Sequence, residues 1–278
     1  MTPDLTRRKL LLATPSVALG TWLLDPAAGA AAQGSAPSTL ASPAAPVPAG
    51  YPTQEPALAR EIVGVSHFNF ERVRQLVEAQ PELARAAYDW GFGDWETALG
   101  AASHMGQRPI ADYLIQKGAR PDIFAAAMLG QLEVVRAFVA ARPGIQGLHG
   151  PHGITLLAHA EAGGADAAPV LRYLRELGDA DAGYPVVPLT DVQRDAFLGI
   201  YAFGEAPEDR FEIALDRGEL SIRRGEGVRR RLFHRGNHEF HPAGAPSARI
   251  RFTLRGERAG ALAIHHPNLI LEAKRPVV

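Results

Sequence analysis

The sequence predicts an α + β protein whose two structural classes lie in separate parts of the chain. An α-solenoid of about 3–4 irregular helix pairs comes first, and a small antiparallel β-meander or half-barrel follows. Three observations predict this. Residues 57–182 are rich in Ala and Leu and repeat short helical patterns closed by Gly. From Leu189 the helical period gives way to brief alternating runs. The charge divides near the same point: residues 31–188 carry 11 basic and 16 acidic groups, whereas Leu189–Val278 carry 15 and 12.

The N-terminal residues read as an address rather than as structure. Thr6-Arg7-Arg8-Lys9 precedes an apolar run from Leu10 to Leu24, and Ala28-Gly29-Ala30 supplies small residues for cleavage. The Arg pair points to a twin-arginine signal peptide over residues 1–30 and to a periplasmic or secreted location. The run holds Pro15 and Gly20 and falls short of the roughly 20 residues a membrane span needs, so no stable membrane anchor is expected. Residues 31–56 form a Pro- and Ala-rich linker. The chain has no cysteine, which excludes disulfides, thiolate metal sites and a cysteine nucleophile. A net charge of −1 gives no bulk attraction to nucleic acid.

Within residues 57–182, one unit opens with Thr97-Ala98-Leu99-Gly100-Ala101-Ala102-Ser103-His104-Met105-Gly106. Its second helix carries Ile110, Tyr113 and Leu114 and ends at Gly118-Ala119. The next unit runs from Phe124 to Gly130 and continues through Leu132, Val135, Phe138 and Val139. A third begins at Gly153-Ile154-Thr155 and reaches Gly178, and a degenerate first unit holds Val63, Phe68, Val73, Leu76 and Val77. Thr97 to Gly106 and Leu114 to Ala119 resemble the opening and the second-helix ending of ankyrin repeats. The chain thus resembles a bacterial exported ankyrin-repeat protein, which implies a solenoid presenting a binding surface. The spacing departs from that pattern: Ala102 to Ala126 is short, so no hairpin finger is expected between those units, and the connections after Leu83 and Arg142 are long.

Gly183–Pro188 marks a second boundary, and Thr190 caps a short helix reaching Phe197. Eight strand patterns follow: 200–203, 211–215, 220–223, 229–234, 238–241, 250–254, 261–265 and 269–274, separated by turns such as Asp216-Arg217-Gly218 and Arg235-Gly236-Asn237. Phe197-Leu198-Gly199-Ile200-Tyr201, Glu239-Phe240 and Ile250-Arg251-Phe252 resemble the small lipocalin-like β-domain appended to serine-hydrolase and β-lactamase-related proteins. That resemblance implies a barrel over residues 189–278.

The motifs of that neighbouring enzyme class are missing. No S-x-x-K, G-x-S-x-G, H-E-x-x-H or phosphate-binding loop occurs, and Ser103 and His104, adjacent on a helix, do not face each other. No enzyme activity and no cofactor are expected. His149, His152 and His159 offer imidazoles around one Gly-rich connection. The ordinary reading of loop histidines is solvation, so no metal site is assigned. His234, His238, His241, His265 and His266 are split between faces by strand alternation. Arg223, Arg224, Arg229, Arg230 and Arg231 form either a weak anion site or a solvated hairpin that guards a sheet edge. Alternation sets Arg230 with Leu232 and His234, and Arg229 and Arg231 with Phe233. One of these faces turns inward.

The stretch Tyr88-Asp89-Trp90-Gly91-Phe92-Gly93-Asp94-Trp95-Glu96 concentrates aromatic rings on a Gly-containing loop. Two readings stay open: a protein-binding surface with Tyr88, Trp90, Phe92, Asp94 and Trp95 as its residues, or a cap folded over the weak first repeat. The leading expectation of function is a scaffold that binds another protein of the cell envelope. The alternative is a small apolar or anionic ligand in the C-terminal barrel, and a metal-dependent enzyme comes third.

Overall fold

The computed structural model describes residues 50, 52–267 and 269–276. The twin-arginine segment and most of the linker lie outside the described residues. Helices come first, in pairs: α1 (Pro56–Val65) with α2 (Phe70–Ala79), α3 (Ala98–His104) with α4 (Arg108–Gln116), α5 (Ile123–Met128) with α6 (Leu132–Ala141), and α7 (Leu156–Ala162) with α8 (Ala168–Leu177). Among the described residues no helix is long and apolar enough to cross a membrane.

Local chemistry starts and stops these helices. Thr97, Asp122 and Thr155 accept the backbone N–H of Gly100, Ala125 and Ala158, at 2.9, 2.8 and 3.3 Å, and so fix the start of the first helix in three successive pairs. Those first helices are short and carry Ala on their buried faces, which lets α1, α3, α5 and α7 stack in a row. Gly106 and Gly130 occupy the turns after α3 and α5 with φ of 66° and 75°. A Cβ at Gly130 would lie 2.2 Å from the carbonyl oxygen of Asp166, so the next pair approaches as closely as a glycine permits.

Between α2 and α3 the chain makes a hairpin of β1 (Ala87–Asp89) and β2 (Trp95–Thr97). Between α4 and α5 there is none, in line with the short repeat spacing.

The C-terminal part opens with α9 (Asp191–Asp195), whose cap is Thr190 in a reciprocal capping box with Gln193. The strands are β3 (Gly199–Ala202), β4 (Arg210–Asp216), β5 (Glu219–Arg224), β6 (Arg230–Gly236), β7 (Glu239–Pro242), β8 (Arg249–Arg255), β9 (Arg258–His266) and β10 (Leu269–Lys274). Each overlaps one of the eight runs read from the sequence. All pair antiparallel with their neighbours in sequence, and β10 pairs with β3 at Lys274 and Ala202. The sheet is therefore a closed barrel, the more complete of the two forms, half-barrel or barrel, that the sequence leaves open, and among the described residues it leaves no free edge.

Inward positions carry Tyr201, Phe211, Ile213, Ile222, Leu232, Phe240, Ile250, Phe252, Leu262 and Ile264. Eight strands leave an interior that such side chains nearly fill. Phe197, after α9, meets Phe240 edge-on and Phe252 at a tilt and plugs one end of the barrel. At the other end Phe92, from the tip of the β1–β2 hairpin, packs against the barrel core. The helices and barrel thus meet through that hairpin.

Candidate metal centre

The hairpin positions the site. Asp89 Oδ1 accepts the backbone N–H of Gly91 and Gly93, at 2.8 and 3.2 Å, and the tip runs through positive φ at Gly91, Phe92 and Gly93. Positive φ at Phe92 is unfavourable for a bulky residue, and here it aims the ring into the barrel mouth. Strand alternation does the rest: Trp95 is 63% exposed, and the next residue, Glu96, is buried.

Around Glu96 the fold gathers three histidines from three segments. His104, the last residue of α3, places Nε2 2.9 Å from Glu96 Oε1. His67, just after α1, places Nε2 3.5 Å from Oε2, and His152, from the loop before α7, places Nε2 3.4 Å from the same oxygen. Trp90 donates its indole N–H to Oε2 at 2.7 Å. One ligand atom from each of His67, Glu96, His104 and His152 lies within 4.8 Å of the others. Glu96 and His104 are almost wholly enclosed; His67 and His152 form the edge open to solvent.

A second layer orients these groups. His67 Nδ1 donates to the backbone carbonyls of Val63 and Gly64, at 3.1 and 3.0 Å, which leaves Nε2 as the inward nitrogen. His152 Nδ1 faces Asp94 Oδ2 at 2.8 Å, and the His152 backbone N–H donates to Asp94 Oδ1 at 2.9 Å. Asp94, itself buried, accepts from Arg230 Nη1 on β6 at 2.5 Å. A carbonyl or carboxylate behind an imidazole fixes its tautomer and raises its basicity, as around metal-bound histidines.

The electrostatics follow from this enclosure. Burial alone would raise the Glu96 carboxyl. The hydrogen bonds of His104 and His152 and the charges of His152 and His67 outweigh it and hold the group at about 2. Burial would lower His152, but Asp94 and Glu96 push it up to about 9. Asp94 is likewise lowered, because the His152 and Arg230 hydrogen bonds overcome its desolvation.

The donor set fits a transition metal. Three imidazole nitrogens and one carboxylate oxygen suit Zn²⁺ or a neighbouring divalent ion. A tetrahedral ion with bonds of about 2.1 Å holds its ligand atoms roughly 3.4 Å apart. Two histidine distances to Glu96 Oε2, 3.5 Å from His67 and 3.4 Å from His152, meet that directly, whereas His104 lies 2.9 Å from the other carboxylate oxygen, Oε1. With all four ligand atoms within 4.8 Å of one another, the widest separation closes by up to about 1.4 Å when an ion binds.

The residues expected from sequence are divided by this geometry. Tyr88 packs edge-on to Trp90 at 4.9 Å, and both rest on the helical core. Phe92 belongs to the barrel mouth, and Asp94 binds His152 and Arg230. Trp95 alone of the five presents its side chain outward. The arginines do not form a free cluster. Arg223 and Arg229 share Glu212 at 2.7 and 2.6 Å, and Arg231 pairs with Glu219 at 3.0 Å. Arg224 donates to the Glu208 carbonyl, and Arg230 turns inward with Leu232 and His234. Each therefore has a partner within the chain, and Arg230 is the one of the five that faces into the barrel.

Of the loop histidines, His152 alone joins the cluster. His149 stacks on Tyr184 at 4.1 Å, and buried His159 gives its Nδ1 to the Thr155 carbonyl. Sequence reasoning, which assigned no metal and no cofactor, missed His67, Glu96 and His104. One signal was present: Ser66-His67 and Ser103-His104 repeat at the ends of α1 and α3, where stacking brings the two rings to 4.9 Å. No protein-family model and no curated protein matches this chain.

Proposed function

We propose that this protein binds one divalent transition metal ion of the zinc class through His67, Glu96, His104 and His152. The observation that carries the reading is the convergence of three imidazole Nε2 atoms on one buried carboxylate, with the Nδ1 of His67 and His152 held from behind. Four protein donors complete a tetrahedron, the arrangement of structural sites, whereas catalytic zinc keeps a position open. The reading is accordingly metal binding and not hydrolysis. The helical frame is, in this proposal, an ankyrin-like solenoid. The repeated caps at Thr97, Asp122 and Thr155 and the matching glycines 106 and 130 support it. The Arg7-Arg8 motif supports action outside the cytoplasm.

Calorimetric titration of chelator-treated full chain with Zn²⁺ tests the site. One ion per chain is expected, with affinity reduced at least tenfold in both His104→Ala and Glu96→Gln. Undiminished binding by these two variants would place the ion elsewhere and end the proposal.

A second reading keeps the protein-recruiting scaffold of the cell envelope, and the exposed ring of Trp95 favours it. Its test is retention of a specific periplasmic protein by the full chain and its loss with Trp95→Ala.

A further inference from the structure

The barrel end that Phe92 enters is not completely filled. A cavity of about 390 Å³ remains there, inside the range of small-ligand clefts. Its floor is made by Phe211, Ile222 and Ile264, all inward-facing and buried. Val228 and Leu269 stand exposed at its rim, an apolar margin at an opening. Against these apolar walls stands one enclosed cation. Arg230 lines the cavity and is only 6% exposed. Its Nη1 is used, by Asp94 and by the Ala243 carbonyl, but its Nη2 is buried and has no hydrogen-bond partner. Buried guanidinium N–H groups are ordinarily satisfied, and an exception calls for an acceptor.

We infer that the barrel mouth binds an aliphatic monocarboxylate, its chain lying among Phe211, Ile222 and Ile264 and its carboxylate accepting from Arg230 Nη2. The apolar lining excludes a multiply charged anion such as inorganic phosphate, which would be desolvated without partners. The guanidinium excludes a purely apolar guest, which would leave Nη2 as it is. Arg224 and His266, also on the wall, add positive or neutral donors and no acid. This site is separate from the proposed metal centre and does not depend on it, although Arg230 reaches Asp94 on its other side.

Calorimetry on the full chain with octanoate, octanol and acetate tests the inference, in the presence of a chelator so that the metal reading has no bearing on the result. Octanoate is expected to bind saturably, one per chain. Octanol should bind at least tenfold more weakly and acetate not measurably. Arg230→Met should abolish the preference for octanoate over octanol. Because that variant also strands Asp94, Val228→Trp provides a second check: it narrows the entrance from a partly exposed loop, leaves the Asp94–Arg230 pair untouched, and should reduce octanoate affinity at least tenfold. Octanol binding as well as octanoate, or octanoate binding unchanged in Val228→Trp, would overturn the proposal.

Discussion

Two groups of charged residues on neighbouring parts of this molecule behave differently because one is wet and the other is dry. On the outside of the barrel, Arg223 and Arg229 share Glu212, and Arg231 meets Glu219, with all these side chains at least a quarter exposed. At the seam, Asp94 and Glu96 are 2% and 1% exposed and are ringed by His67, His104, His152 and Arg230. The same ion-pair chemistry carries little energy in the first setting and much in the second. Water screens the outer pairs, whereas a buried charge that loses its partner has no solvent to turn to.

Arg230→Met should expose that contrast most sharply. It leaves the Asp94 carboxylate enclosed with His152 as its only charged partner, and a loss on the order of 3 kcal/mol is expected by urea unfolding. Zinc should act in the opposite direction. At a free concentration of about 100 times its dissociation constant, an ion bound only by the folded chain adds roughly 2.7 kcal/mol. Thermal melts with Zn²⁺ and with chelator should differ accordingly in the parent chain and coincide in a His67→Ala, His104→Ala double variant. A gain preserved in the double variant would assign the stabilisation to some other place.

The packing of the helical stack offers a neutral control. Gly130→Ala would drive a methyl group into the Asp166 carbonyl at a φ of 75°, and should cost about 1–3 kcal/mol without changing zinc affinity.

In chelated protein the seam should also respond to pH. His152 is raised from 6.5 to about 9, so the stability it lends is complete below pH 6.5 and is lost as pH climbs through 9. Glu96 is lowered from 4.5 to about 2, so its contribution is present above pH 4.5 and disappears as pH falls through 2. Urea midpoints across pH should form a plateau between these limbs, and Asp94→Asn should diminish the alkaline one. At the weak end, Arg231→Ala removes a half-exposed pair with Glu219 and should shift stability by less than about 1 kcal/mol. A large loss there would erase the distinction between wet and dry charges.

The barrel was almost entirely legible in the sequence, since period-two alternation and Gly-containing turns are local signals. All eight strands and the Thr190 cap could be read from it, and so could the division of the arginines between two faces, whereas that Arg230 is the one facing inward is decided by the structure. The alternation alone leaves open whether the sheet curls or closes, because the β10–β3 pairing depends on accumulated twist around the sheet and joins residues such as Lys274 and Ala202 that share no local pattern. The candidate metal centre was legible only in fragments. Glu96 lay at the end of a stretch noticed for its aromatic rings. His149 and His152 share one connection, and the two part ways because His152 adopts a φ of 60° that turns it toward Asp94. His67 and His104 become neighbours only when α1 and α3 stack. Spacing along the chain carries no trace of that beyond the repeated Ser-His pair.

Asp94 and Arg230 are 136 residues apart in sequence, and the hairpin tip that brings them together must wait for a barrel made from the last third of the chain. Long loops close late in folding, because their ordering entropy precedes the contacts that offset it. The seam should therefore be absent from the folding transition state. Changes at Asp94 or Arg230 are then expected to leave the refolding rate nearly constant and to accelerate unfolding. The residue pair that joins the two parts would act on how long the assembled protein lasts, and hardly at all on how fast it forms.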